Sequence, residues 1–117
     1  LIIVDPVIQK PGEITNSIVE TIDLFPTLCD LVDLKKPDFL DGSSLLPLLK
    51  DPKAASDNTA ISYNGKANTI RTATHRLIKH SKGHIELYDH TSPAGETKNI
   101  AKESPDLATK LAERLPK

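Results

Sequence analysis

Methionine and tryptophan are missing from this sequence, cysteine occurs once, and tyrosine and phenylalanine contribute two residues each out of 117. Each shortage excludes something. With only Cys29, no intrachain disulfide can form, so the chain is not a cysteine-stapled miniprotein. No apolar run approaches the ~20 residues that a membrane-spanning helix needs, so no membrane partner is expected. Charge of one sign is lacking too: 15 Lys+Arg stand against 16 Asp+Glu, a net charge of −1. That balance creates no broad field for nucleic acid or an acidic lipid surface. The five glycines are scattered, and neither a phosphate-cradling loop nor a GxSxG or CxxC motif occurs. Without Met, the chain opens at Leu1 straight into apolar residues, with no basic leader. The expectation is that Leu1 marks a cut inside a longer protein. What remains, 38% hydrophobic residues, can build a modest core.

Along the chain, Leu1 to Val4 is an uninterrupted apolar run, closed by Asp5-Pro6. It predicts a strand buried on both faces whose sheet partners lie upstream. Asp5 reads as a turn opener rather than a metal carboxylate. Gln9 to Gly12 predicts a polar loop, and Ile14 to Ile22 fits either an extended or a helical segment. Asp23 is placed as an N-cap with Leu24, Phe25 and Pro26 in the first helical turn, where proline is tolerated. Phe25, Leu28, Cys29 and Val32 then form an apolar stripe, which makes Cys29 a buried thiol rather than a nucleophile. Ser43 or Ser44 can cap a short helix carrying Pro47 in its first turn. The second half changes period. Ala60 to Tyr63 is strand-like, Asn64-Gly65 is a turn signal, and Thr69 to Tyr88 predicts an antiparallel hairpin or meander turning at Ser81-Lys82-Gly83. Pro105 opens a final helix behind Ser104, with Leu107, Ala108, Leu111 and Leu115 on one face. The fold class is therefore α+β: antiparallel strands covered by a terminal helix.

Four histidines, His75, His80, His84 and His90, fall within sixteen residues. His80 and His84 can meet across the turn, with Asp89 nearby, and convergent imidazoles are what zinc takes. No HxH or HxxxH pair sits on one regular element, so exposed hairpin histidines are the default and no metal ligands are assigned. Arg71, Arg76, Lys79 and Lys82 lie on the same hairpin. They could face an anionic substrate, but a solvated strand face is the simpler reading.

Several segments carry a resemblance. Thr21-Ile22-Asp23-Leu24-Phe25-Pro26-Thr27-Leu28-Cys29-Asp30-Leu31 resembles the "DLFPTLLDLAG" helix of sulfatases, and Asp41-Gly42-Ser43-Ser44-Leu45-Leu46-Pro47-Leu48-Leu49 their "DGxSLLPLL" segment. Ile70-Arg71-Thr72 with Arg76-Leu77-Ile78 is similar to "RTxxYKYI". Glu86-Leu87-Tyr88-Asp89 with Glu96-Thr97-Lys98-Asn99-Ile100-Ala101 is similar to "ELYDLxxDPxExxNLA". The order is that of the family, and the flavour is that of its iduronate-2-sulfatase-like branch. Two departures stand out: Pro93-Ala94 in place of Asp-Pro, and His75-Arg76 in place of the Tyr/Lys pairing.

The resemblance implies the C-terminal portion of a sulfatase of the alkaline-phosphatase-like superfamily. Residues 1–52 would be the end of the N-terminal catalytic α/β domain: its last strand, the DLFPT helix and a short Leu-rich helix. Residues 53–117 would be the C-terminal subdomain of antiparallel strands and a terminal helix. Such enzymes hydrolyse sulfate esters with a formylglycine made within a C/S-x-P-x-R motif, beside a calcium ion held by acidic residues. Cys29 is followed by Asp30-Leu31-Val32-Asp33, and no serine is followed by x-P-x-R. The nucleophile and calcium ligands are thus expected in the parent's N-terminal part, with no catalytic residue and no cofactor in this segment. Tyr63, Asn64 and Lys66 would shape the site for a sulfated sugar or aryl sulfate. The expected partner is the missing catalytic domain, and self-association of the segment through its bared apolar faces would be visible by light scattering. The compartment stays open, with export as the family's habit. A stand-alone binding or structural module, or the C-terminal part of a related phosphodiesterase or phosphonate hydrolase, are the other readings.

Overall fold

The computed structural model describes residues 1–6, 8, 11–54 and 56–116. Gln9 and Lys10 of the predicted loop therefore lie outside the described residues. The chain divides into two compact units, Leu1–Ser56 and Asp57–Lys117.

In the first unit Leu1 to Val4, expected to pair with a sheet upstream of this chain, has no strand partner among the described residues. Leu1 to Val4 carries no strand pairing, and Leu1, Ile2 and Val4 are exposed. A strand exists only as one side of a ladder, and no described segment pairs with this one. Asp5 does open a turn, its carbonyl accepting from Ile8 N at 3.1 Å. Ile14 to Glu20 has no regular structure, and a single 3-10 turn, Thr21–Asp23, leads into helix α1 (Leu24–Leu31). Asp23 stands at the N-cap as expected, but its carboxylate does not cap α1. It accepts instead from Glu20 N and from Ser43 N, both at 2.8 Å, tying the start of α1 to the Gly42-Ser43 turn. Thr27 adds a second tie, since its Oγ1 accepts from Leu45 N at 2.8 Å. These ties orient α1 so that Pro26, Thr27 and Cys29 are buried. The predicted stripe divides accordingly. Cys29 is inside, but Phe25, Leu28 and Val32 are exposed. Helix α2 (Leu46–Lys50) has Pro47 in its first turn, and Ser44 Oγ accepts from Leu46 N at 3.2 Å.

The second unit is a four-stranded antiparallel meander in the order β1 (Ala60–Tyr63), β2 (Ala67–Arg71), β3 (His75–His80), β4 (Ile85–Asp89). Its final helix is α3 (Pro105–Glu113). The β1–β2 turn needs a positive φ, which Gly65 supplies at +75°. The run from Thr69 to His80, read as one stretch, is broken by a turn at Thr72–Thr74. There Thr72 Oγ1 accepts from His75 N at 2.9 Å, the hydroxyl doing the work of a backbone turn. Strand alternation then sorts the faces. Ile70 and Leu77 pair across β2–β3, Leu77 and Leu87 across β3–β4, and all three are fully buried beneath Ala108, Leu111 and Leu115 of the helical segment. The edge of β4 is covered by the chain itself. Asn99 Oδ1 accepts from Leu87 N at 3.0 Å, and Ile100 N donates to Leu87 O at 2.8 Å. The asparagine of the "ExxNLA" segment is thus a strand substitute.

Candidate functional site

The three residues expected to shape a substrate site, Tyr63, Asn64 and Lys66, do come together at the β1–β2 turn. Tyr63 is exposed and, by register, shares a face with Ile61 and Ile70. Asn64 is engaged locally: its Oδ1 accepts from Lys66 N at 3.0 Å and from Ala67 N at 2.8 Å. The Lys66 carbonyl accepts from Ser81 N at 2.8 Å, which ties the β1–β2 and β3–β4 turns together. A substrate contact by Asn64 must therefore coexist with its role in building the turn.

The histidines separate. His80 and His84 face each other with ring centroids 5.4 Å apart, and both approach Glu86. His80 Nε2 lies 2.9 Å and His84 Nε2 3.5 Å from Glu86 Oε1. His75 Nδ1 instead meets Thr74 Oγ1, and His90 Nε2 lies 3.0 Å from Glu96 Oε1. Asp89 holds Thr91, through the backbone N at 2.8 Å and the hydroxyl at 2.6 Å. The His80–His84–Glu86 group is the one cluster of three potential metal ligands found among the described residues. Two imidazoles and one carboxylate suit zinc or a similar borderline ion. They do not suit calcium, which takes six to eight oxygens, so no step involving calcium is assigned to this chain. The cluster also satisfies itself, because the Tyr88 hydroxyl donates to Glu86 Oε2 at 2.5 Å. That bond, above all, holds the Glu86 carboxyl below its ordinary range.

The face of the sheet turned away from α3 carries a different arrangement. A hollow of about 210 Å3 is bounded by Ala60 and Ser62 of β1, Thr69 and Arg71 of β2, Arg76 of β3, and His90 and Glu96 beyond β4. Arg71 and Arg76 are direct cross-strand partners, a like-charge pairing that costs stability unless compensated. Arg76 is compensated: its Nη1 donates to both Glu96 carboxylate oxygens, at 3.0 and 3.2 Å, and its Nε to Thr69 Oγ1 at 3.3 Å. The Arg76 guanidinium keeps Glu96 well ionised, its carboxyl lying below the ordinary range. Arg71 has no such match, and its Nη1 is buried without a hydrogen-bond partner among the described residues. Arginine at this position was legible in the sequence; the burial of its Nη1 was not.

An acid-pH expectation arises from these carboxylates. Glu86, Asp89 and Glu96 are all lowered, chiefly by hydrogen bonds from Tyr88, Thr91 and Arg76 respectively. Groups lowered in the folded state stabilise it above their ordinary values, 4.5 for Glu and 3.8 for Asp, and that contribution fades as pH falls through the lowered values. The Tm followed by circular dichroism should accordingly drop from about pH 6 to about pH 3, with most of the change below the ordinary Glu value; a flat profile would contradict it.

Set beside known proteins, the chain finds consistent company. It is 28% identical over 131 aligned positions to arylsulfatase K of Bos taurus, covering 98% of this chain and 24% of that protein. It is 31% identical over 103 positions to the Delta 4,5-hexuronate-2-O-sulfatase of Bacteroides thetaiotaomicron, covering 80% of this chain and 21% of that protein. The chain thus spans about a quarter of the length of these relatives. A structure solved with its substrate D-glucosamine-2-N,6-O-disulfate superposes with a TM-score of 0.63 at 24% identity, over 78% of this chain and 22% of that one. This likeness shows the shared α+β architecture, small antiparallel sheet and helices. The family model described as N-sulphoglucosamine sulphohydrolase, C-terminal, matches residues 1–117, and the chain accordingly belongs to this C-terminal sulfatase family.

Proposed function

We propose that this chain is the carboxy-terminal part of a sulfuric ester hydrolase that acts on a sulfated sugar, with the nucleophile and metal ligands supplied by residues outside it. The match of the family model to residues 1–117 carries the reading. The hexuronate-2-O-sulfatase relative supports a sulfated uronic acid as substrate class, which is the chemistry of the iduronate-2-sulfatase-like branch. In this reading residues 1–52 close the catalytic domain and residues 53–117 form the subdomain beside it. Its role is structural, and the Tyr63–Lys66 turn shapes specificity for the sugar.

The test uses the intact enzyme. Tyr63→Ala should lower kcat/KM on at least one member of a panel of sulfated sugars by about tenfold, roughly 1.4 kcal/mol of transition-state binding. Asn64→Asp, which keeps the acceptor that the turn needs, separates a substrate contact from a broken turn. Unchanged kcat/KM for both variants across the panel would remove the turn from the site. The 117-residue chain alone should show no hydrolysis of a chromogenic aryl sulfate; turnover would overturn the assignment of the nucleophile elsewhere.

A further inference from the structure

We propose that His80, His84 and Glu86 form a binding site for one zinc ion, whose role is to clasp the β3–β4 hairpin. The hairpin itself brings the three together. Continuing the β3–β4 register by one pair sets His84 opposite His80, and His80 N donates to the His84 carbonyl at 2.8 Å. Glu86 follows His84 by two residues, so strand alternation puts it on the same face. That face is turned away from α3, because Leu77 and Leu87 belong to the core on the other side. Lys79 alternates away from it, and the neighbour of His80 on β2 is only the small Ala67. The donors thus converge at the closed end of a hydrogen-bonded ladder, a more rigid support than a loop.

The distances favour an ion over hydrogen bonding alone. Zinc holds nitrogen and oxygen donors at about 2.0 to 2.2 Å in a tetrahedron, which sets neighbouring donors about 3.3 Å apart. Glu86 Oε1 lies 2.9 Å from His80 Nε2 and 3.5 Å from His84 Nε2, one on either side of that edge. A hydrogen bond accounts for the first distance but not for the second, which is longer than N–H···O bonds run. The imidazole nitrogens offered to the ion lie within 4.8 Å of each other. The His84 side chain is 63% exposed and has room to turn and shorten that edge. Water from the open side supplies the fourth ligand. Tyr88 acts one step out as a positioning residue. Its hydroxyl donates to Glu86 Oε2, which leaves Oε1 for the ion and fixes the carboxylate's orientation. Any proton on the two Nε2 atoms passes to solvent as the ion enters, because only the bare nitrogen coordinates. His75 and His90 take no part, being engaged with Thr74 and Glu96. The site lies wholly within the second unit and does not depend on the function proposed above.

The experiment titrates zinc chloride into the whole chain, stripped with EDTA and dialysed, at about pH 7.5, where imidazoles are mostly neutral. Imidazole nitrogen resonances are followed by NMR and the heat of binding by calorimetry. One equivalent should bind with a Kd of about 1 μM, shifting the His80 and His84 signals while those of His75 and His90 stay in place. At about a hundredfold excess over Kd, the melting midpoint of the second unit, read by tyrosine emission, should rise by about 10 °C. His84→Gln should weaken binding about a hundredfold. Tyr88→Phe should weaken it about tenfold while both histidine signals still shift, as expected for a loosened carboxylate. His75→Gln should leave it unchanged. Calcium chloride in about a hundredfold excess should not displace zinc, since calcium demands oxygen donors. Non-saturable uptake of zinc, equal shifts at all four histidines, or full affinity in His84→Gln overturns the site. Full affinity in Tyr88→Phe overturns the positioning role of the tyrosine, and displacement by calcium overturns the assignment of zinc.

Discussion

Gly42→Ala is expected to destabilise the first unit by about 3 kcal/mol, near the top of the range for overpacking. The glycine sits against the backbone of the turn that precedes α1. A methyl group there would collide with the Ile22 carbonyl group, lying 2.5 Å from its carbon and 2.9 Å from Asp23 N. The obstacle is main chain, so no side-chain rotation relieves it. The collision also displaces Ser43 from the Asp23 carboxylate, and with it a bond that draws the α2 segment toward α1. Left-handed backbone plays no part, since Gly42 is not among the positive-φ glycines. The single buried thiol gives a direct readout, because labelling of Cys29 requires opening of the first unit. Gly42→Ala should speed that labelling by about a hundredfold, given that each 1.4 kcal/mol is tenfold in the opening equilibrium. Labelling at the parental rate would show that the turn yields without cost.

Leu87→Ala is expected to cost the second unit about 3 to 4 kcal/mol. Leu87 is fully buried at the centre of the core, packed with Leu77 from β3 and beneath the helical residues. Truncation removes the side chain from a place whose walls are two strand ladders and a helix, which leaves little scope for collapse. Its backbone groups are held by Asn99 and Ile100, so the chain cannot easily shift to fill the space. Both tyrosines, Tyr63 and Tyr88, belong to this unit. Their emission therefore reports its urea midpoint, which should fall sharply for Leu87→Ala and only modestly for Ile85→Val at the half-buried rim.

Much of the second unit was legible because its signals are local. Asn64-Gly65 fixes a turn, Ile70, Leu77 and Leu87 fall on alternating positions, and Ser104-Pro105 begins a helix with its leucines in phase. The turn at Thr72–Thr74 was hidden, because threonine is β-branched and reads as strand; only its hydroxyl bond to His75 N reveals the turn. That hidden turn matters for the site. It reverses the chain between Arg71 and Arg76 and sets them opposite each other on one face, with Lys79 on the other, so the four basic residues do not form a single solvated face. In the first unit, Leu1 to Val4 forms no ladder among the described residues, because apolar, β-branched composition signals compatibility with a sheet and cannot supply the neighbour that makes one, here expected upstream of Leu1. The stripe of α1 was legible as a spacing but not as a direction. Helical spacing gives the phase of Phe25, Leu28 and Val32, but the rotation of the helix is decided by Asp23 and Thr27 gripping Ser43 and Leu45. Motif resemblance located those positions without explaining them: the glycine makes room for main chain, the aspartate accepts two of its N–H groups, and the asparagine serves as a strand edge.

The strand order of the second unit has a kinetic side. Every strand pairs only with its neighbours in the chain, β1 with β2, β2 with β3 and β3 with β4. No distant loop must close before pairing is rewarded, so the relative contact order of the sheet is low for a β-containing unit, and the entropy lost on the way to the transition state is correspondingly small. The meander should thus assemble within milliseconds by successive hairpin addition, with docking of α3 completing the core rather than nucleating it.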